Sequence, residues 1–195
     1  MDVLEIYEAA GICSLPINPL EAARALGIKA VSYRTFEKEY SLTARELYEH
    51  SRFGFSFKIE QGFVIVINEN SCGERRRRFT AAHELAHCVL GHLEREAQSS
   101  DEREADRFAA EFLAPMTVLN FCGAASAKEI AAMCGISDSA AKIAFDELSQ
   151  KRRRGFDFLE NERNAAIMRR FSKYITRRLE ERSFRVQQNC AKSYR

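Results

Sequence analysis

Long apolar runs are missing from this sequence. The longest unbroken aliphatic and aromatic stretch covers residues 63–67, far short of the roughly 20 residues that cross a bilayer. A membrane-spanning helix is therefore excluded. Paired cysteines are missing too. Six cysteines, at 13, 72, 88, 122, 134 and 190, are scattered without any C-x-x-C pair. They read as buried thiols of a reducing compartment, not as a disulfide framework. The acidic start Met1-Asp2-Val3-Leu4-Glu5 has neither the basic nor the apolar region of a signal peptide, so a cytoplasmic location is expected. There is no internal repeat and no low-complexity tract.

What remains is ordinary globular composition: 195 residues, 46% apolar and 30% charged, about one domain with an appendage. The net charge of +2 hides an asymmetry. Residues 151–195 carry 14 Lys/Arg against 5 Asp/Glu, a net of +9, and the rest of the chain carries −7. The last 45 residues are electrostatically distinct from the body.

Hydrophobic periodicity and cap residues predict short helices over 2–10 and 19–26, the second started by Asn18-Pro19 and ended by Gly27. Residues 53–68 read as two strands around a Gln61-Gly62 turn, with a third strand near 28–33 and a helix over 42–50. A helix is expected from Thr80 to about Gly91, another from Ser99 or Ser100 to Pro115. Ser126 and Glu129 form a capping-box pattern for a helix that Gly135 closes, and Ser137 opens the next, to about Gln150. In the basic tail, Ile167, Phe171, Ile175 and Leu179 recur every four residues, one apolar stripe on a helix.

The informative motif is His83-Glu84-Leu85-Ala86-His87. Two histidines four apart project from one helix face, so both imidazoles can reach one Zn²⁺. Glu84 lies about 100° round the helix from His83, beside the metal rather than on it, where a carboxylate can take a proton from the attacking water. The bland alternative is a solvent-facing helix that happens to carry two histidines. The apolar residues between them point instead to a buried helix, where unpaired imidazoles are costly.

A third protein ligand is still needed. His92, five residues after His87, is about 140° off the ligand face, and reads as a helix-end residue favoured by the dipole. Leu90 and Leu93 stand where a metzincin needs Gly and His, which excludes that family. His50 is read as structural. Carboxylates of the next helix are the remaining source. Glu102 and Asp106 share a face: Glu102 suits a ligand and Asp106 the outer hydrogen-bond partner of a liganding histidine. Glu104 points about 200° away from Glu102 and is the alternative ligand. Glu102 has a bland reading too, as the capping-box partner of Ser99. A His₂Glu set leaves one open position, the mark of a catalytic site.

The run at 78–87, Arg-Phe-Thr-Ala-Ala-His-Glu-Leu-Ala-His, followed by Glu-Arg-Glu-Ala-Asp-Arg-Phe-Ala-Ala-Glu-Phe-Leu-Ala-Pro at 102–115, resembles the ImmA/IrrE family of metallopeptidases. The strand at 63–68 and Ala10-Gly11-Ile12 also fit that family's layout, and the similarity covers roughly residues 5–150. The family's metal-ligating glutamate falls on Glu102 and its Asn/Asp position on Asp106. The resemblance implies a gluzincin-like α+β fold: a small antiparallel sheet with a zincin-like helical core, then a helical C-terminal extension. It implies one Zn²⁺ per chain and cleavage of a helix-turn-helix repressor, relieving repression of mobile elements or stress genes. In length the chain is similar to the compact mobile-element type, without a C-terminal sensory domain. The expected organisation is a metallopeptidase domain at 1–120, a helix-turn-helix-like hairpin at 121–150 packed on it, and a basic helical tail at 151–195 that the resemblance does not cover.

Other function classes remain on the page. The 126–150 hairpin and the basic tail fit a non-catalytic zinc-containing regulator that binds protein or DNA. Against direct nucleic-acid binding, Asp138, Asp146 and Glu147 outweigh Lys142 on the would-be recognition helix. Arg75 to Arg78 read as a solvated turn or as a contact for an acidic substrate segment. Tyr33, Tyr40 and Tyr48 are candidates for oxyanion stabilisation, with nothing to select one. The strand at 63–68 suits pairing with an extended substrate if it lies at a sheet edge. The sequence leaves the oligomeric state open.

Overall fold

The computed structural model describes residues 1–71 and 73–193, with side chains as far as residue 184. In chain order come α1 (Val3–Ala9), α2 (Pro19–Ala25), β1 (Lys29–Ser32), α3 (Tyr33–Tyr40), α4 (Ala44–His50), β2 (Gly54–Ile59) and β3 (Gly62–Ile67). They are followed by α5 (Glu74–Val89), a 3₁₀ turn (His92–Glu94), α6 (Asp101–Leu113), α7 (Met116–Phe121), α8 (Ala127–Cys134), α9 (Asp138–Arg153), α10 (Glu162–Arg170) and α11 (Ser172–Ser193). This is an α+β fold with a small sheet among many helices.

The strand order is β1-β3-β2. The β2–β3 hairpin is antiparallel as expected, with Phe55 opposite Val66 and Phe57 opposite Val64. The sheet as a whole is mixed, because β1 joins β3 in parallel, Val31 beside Val66. The physical reason is the connection: α3 and α4 carry the chain back before the hairpin, and only such a crossover lets two strands run the same way. β3 is the central strand, not the edge expected there, and the edges are β1 and β2. Its unbroken apolar run follows from being covered on both faces. Ile65 and Ile67 enter the main core with α2 and α5, whereas Val64 and Val66 meet Tyr33, Phe36 and Leu47 of α3 and α4.

α5 starts six residues earlier than Thr80. Arginine is a good helix former, and here the arginines find partners that keep the extra turns wound. Arg78 bonds Glu74 at 2.8 Å and the carbonyl of Ile17 at 2.9 Å. Arg77 donates to the carbonyl of Glu69, Arg76 lies 4.4 Å from the centre of the Phe53 ring, and Arg75 pairs with Asp138 at 2.8 Å. The run is therefore helix, not a solvated turn. Thr80 becomes a buried interior residue. α6 likewise lacks a side-chain cap at Ser100, so the Ser99–Glu102 capping pattern does not form.

The tail stripe is split between two helices. α10 ends at Arg170 and α11 begins at Ser172. Ile167, Phe171 and Ile175 are buried, and Leu179 is exposed. Phe171 packs edge-on against Tyr7 of α1 with ring centres 5.3 Å apart. Arg163 pairs with Glu111 at 2.7 Å and Asp2 at 3.1 Å, and Arg170 donates to the carbonyl of Ile12. Cys88, Cys122 and Cys134 are buried and free, as expected, but Cys13 is exposed. The side chains of Cys72 and Cys190 lie outside the described residues.

Candidate active site

α5 is buried on almost every side from Thr80 to Cys88, because it is wedged between the sheet, α2 and α6. α6 runs antiparallel to it: Glu102 faces His87 and His83, and Asp106, one turn on, faces His83. Nε2 of His83 and Nε2 of His87 are 3.1 Å apart. The Glu102 carboxylate lies 3.3 Å from the first and 3.5 Å from the second. Ligands at about 2.0–2.1 Å from a tetrahedral zinc are spaced about 3.3 Å from one another, so these separations fit a tetrahedral set. His83, His87 and Glu102 form a group that can hold a metal ion.

The outer nitrogens support that fit. Nδ1 of His83 is 2.9 Å from Oδ1 of Asp106. A carboxylate only accepts, so Nδ1 donates, and Nε2 is the nitrogen left facing the cavity. Burial, and then the neighbouring His83, hold the His87 imidazole below its ordinary pKa, which favours the neutral form that a ligand needs.

Glu84 is 9% exposed. Its Oε2 accepts a hydrogen bond from Oγ of Ser56 on β2 at 2.7 Å. Burial raises the Glu84 carboxyl above its usual range, with the Ser56 hydroxyl partly opposing. Ser56 reaches this far because of Gly54: a Cβ there would meet the Val66 carbonyl at 2.8 Å and Cγ2 of Thr80 at 3.1 Å. β2 lies too close to α5 for a side chain at that position. Neither residue was picked out from the sequence. The only signal is a small and a polar residue alternating with Phe53, Phe55 and Phe57 on the strand.

Glu104 stands apart from the histidine pair. Its Oε2 is 3.3 Å from Nε2 of His92, and His92 is buried behind His87. The three candidate tyrosines are on the other side of the sheet: Tyr33 donates to the carbonyl of Ser51, Tyr48 packs on Tyr33 and Tyr40 on Phe36. None of them lines the cleft. His50 stacks edge-on against Phe55.

The site opens into a cleft of about 1020 Å³, walled by Gly54 to Ser56 of β2, by Arg75, Arg76 and Phe79 of α5 and by Ser139, Ala140 and Ile143 of α9. A second groove of about 450 Å³ shares Phe79, Ala110, Ile136, Ala140 and Ile143 with it. Ser139, Ala140 and Ile143 of α9 are a wall of the cleft, and Ala141, Ala144 and Leu148 are turned into the core.

The family model of peptidase family M78, described as the IrrE N-terminal-like domain, matches residues 31–142. The chain belongs to this family. The matched segment runs from β1 into α9 and contains His83, Glu84, His87, Glu102 and Asp106 as well as Ser56 and Gly54. Membership makes the chain a member of a protease family, consistent with a bound metal ion and a protein substrate. No curated protein matches the chain. Among the described residues, no helix is long and apolar enough to cross a membrane.

Proposed function

We propose that the chain is a cytoplasmic zinc-dependent metalloendopeptidase that cleaves a helix-turn-helix transcriptional repressor, relieving repression of a mobile element or stress response. The observation that carries the catalytic reading is the convergence of three ligand atoms beside a buried glutamate at the floor of an open cleft. His83, His87 and Glu102 would hold the ion, one per chain. When bound, zinc supplies Lewis acidity to the scissile carbonyl and acidity to the attacking water. Asp106 keeps the His83 ring turned with Nε2 inward.

Glu84 acts as general base. Its Oε2 is occupied by the Ser56 hydroxyl, which leaves Oε1 to take the proton of the water and hand it to the departing amine. A raised carboxyl pKa brings the base nearer working pH, where it both accepts and returns the proton. β2 is a sheet edge and lines the cleft, so an extended substrate segment can add to it by backbone hydrogen bonding. The apolar groove that continues past Ile143 supports a substrate with apolar side chains beyond the scissile bond. A non-catalytic metal-binding regulator would have no use for a buried base held by a serine.

Glu84→Gln tests the reading. It keeps the shape of the side chain and removes the base, so the variant should hold zinc at the wild-type level and cleave, about 10²–10⁴-fold more slowly, a helix-turn-helix repressor that the wild type cuts. A rate within threefold of wild type contradicts the assignment.

A further inference from the structure

We propose that His92 is a positioning residue which, with Glu104 behind it, fixes the tautomer of His87 so that Nε2 of His87 turns a bare lone pair toward the ligand cavity. The inference rests on the metallopeptidase reading and adds to it two residues outside the ligand set.

The placement comes from the end of α5. Helix geometry sets a residue five positions after His87 off the ligand face, but α5 stops at Val89. Gly91 then takes a left-handed conformation with φ +76°, which suits glycine, and the chain doubles back. His92 swings under the helix, where its side chain is 2% exposed. Its Nδ1 lies 3.1 Å from Nδ1 of His87, and its Nε2 lies 3.3 Å from Oε2 of Glu104.

Proton placement follows from the far end of this chain. The Glu104 carboxylate only accepts, so Nε2 of His92 carries a proton and donates it. The other ring nitrogen, Nδ1, is the one that faces His87 and serves there as acceptor. Nδ1 of His87 meets that acceptor at 3.1 Å on the side of the ring away from the ligand cavity, so the His87 tautomer that donates to His92 is the one protonated at Nδ1. Nε2 of His87 is then bare and faces Nε2 of His83 and the Glu102 carboxylate. Asp101 does not compete for the His92 proton. It lies 4.0 Å away, and its oxygens are taken by Arg95 at 2.7 and 2.9 Å and by the Gln98 amide.

The two ligand histidines thus receive the same instruction by different routes. His83 takes it in one step from Asp106, whose side chain is 60% exposed. His87 takes it in two steps through a buried ring. Outer hydrogen-bond partners of liganding histidines are worth about 10–100-fold in metal affinity.

The test is zinc affinity by competition with a chromophoric chelator, in the full chain. His92→Leu fills the space without an acceptor and should bind zinc about 10–100-fold more weakly. His92→Asn places Oδ1 where Nδ1 was and should recover most of that loss. Equal weakening in both variants, or none in His92→Leu, overturns the proposal, since packing alone would then explain the residue. A second measurement needs no variant at His92. Nitrogen-15 correlation spectra of the zinc-loaded wild type should show His92 protonated at Nε2 and bare at Nδ1, and the opposite tautomer overturns the proposal. Failure of the wild type to take up zinc would instead overturn the metallopeptidase reading, and the proposal with it.

Discussion

α5 and α6 face each other across the site and hold their polar groups in opposite ways. On α5, Glu84 and His87 are 9% and 8% exposed, set in place by the sheet on one side and Leu85 and Ala86 packed on the other. On α6, the side chains of Glu102 and Asp106 are 74% and 60% exposed, and among the described residues only the histidines hold them. The fold fixes the base and the imidazoles before any ligand arrives. The carboxylates are oriented by what they bind. Substitutions behind the α5 groups should therefore cost stability, and substitutions of the α6 groups should cost affinity and almost nothing else.

Leu85→Ala should show the largest effect. The side chain is fully buried on the helix that carries both histidines, and a Leu→Ala change in a core costs about 2–5 kcal/mol. Denaturant unfolding checks this, and a loss below about 1 kcal/mol would mean that α5 is not anchored by its burial. Gly54→Ala comes next. Its new Cβ meets backbone at 2.8 Å and Cδ1 of Ile67 at 2.9 Å, an overpacking of about 1–3 kcal/mol. It should also lift Ser56 from Glu84 and lower the rate of proteolysis. A rise in stability with unchanged rate would show that β2 has room to move. The smallest effect belongs to α6. In the metal-free chain Glu102→Ala and Asp106→Ala should each change stability by no more than about 0.5 kcal/mol. A loss above 1 kcal/mol in either would erase the distinction between the two helices.

Much of this was legible in the sequence. His83 and His87 four apart, Glu84 beside them, and Glu102 with Asp106 on one face of the next helix are local spacings, and spacing on a helix dictates direction. The hairpin at 54–67 and a strand before it followed from apolar patterning and turn residues, but the parallel pairing of that strand did not. What was not legible depended on residues far apart in the chain. Whether β2 or β3 forms the sheet edge is decided by the crossover through α3 and α4, not by either strand. Ser56 reaches Glu84 only because Gly54 lets β2 close on α5. His92 was placed off the ligand face by extending a helix that ends at Val89, and the turn at Gly91 brings it back behind His87. The charge asymmetry of the tail was plain, but its burial against Tyr7 and its ion pairs with Asp2 and Glu111 join the two ends of the chain.

Zinc stoichiometry of the purified chain and of two single variants tests the centre of this reading most directly, by elemental analysis after equilibration at fixed free zinc. The wild type should hold one zinc per chain, and His83→Ala and Glu102→Ala should hold almost none. A Glu102→Ala chain that keeps one zinc at wild-type affinity would contradict the ligand set.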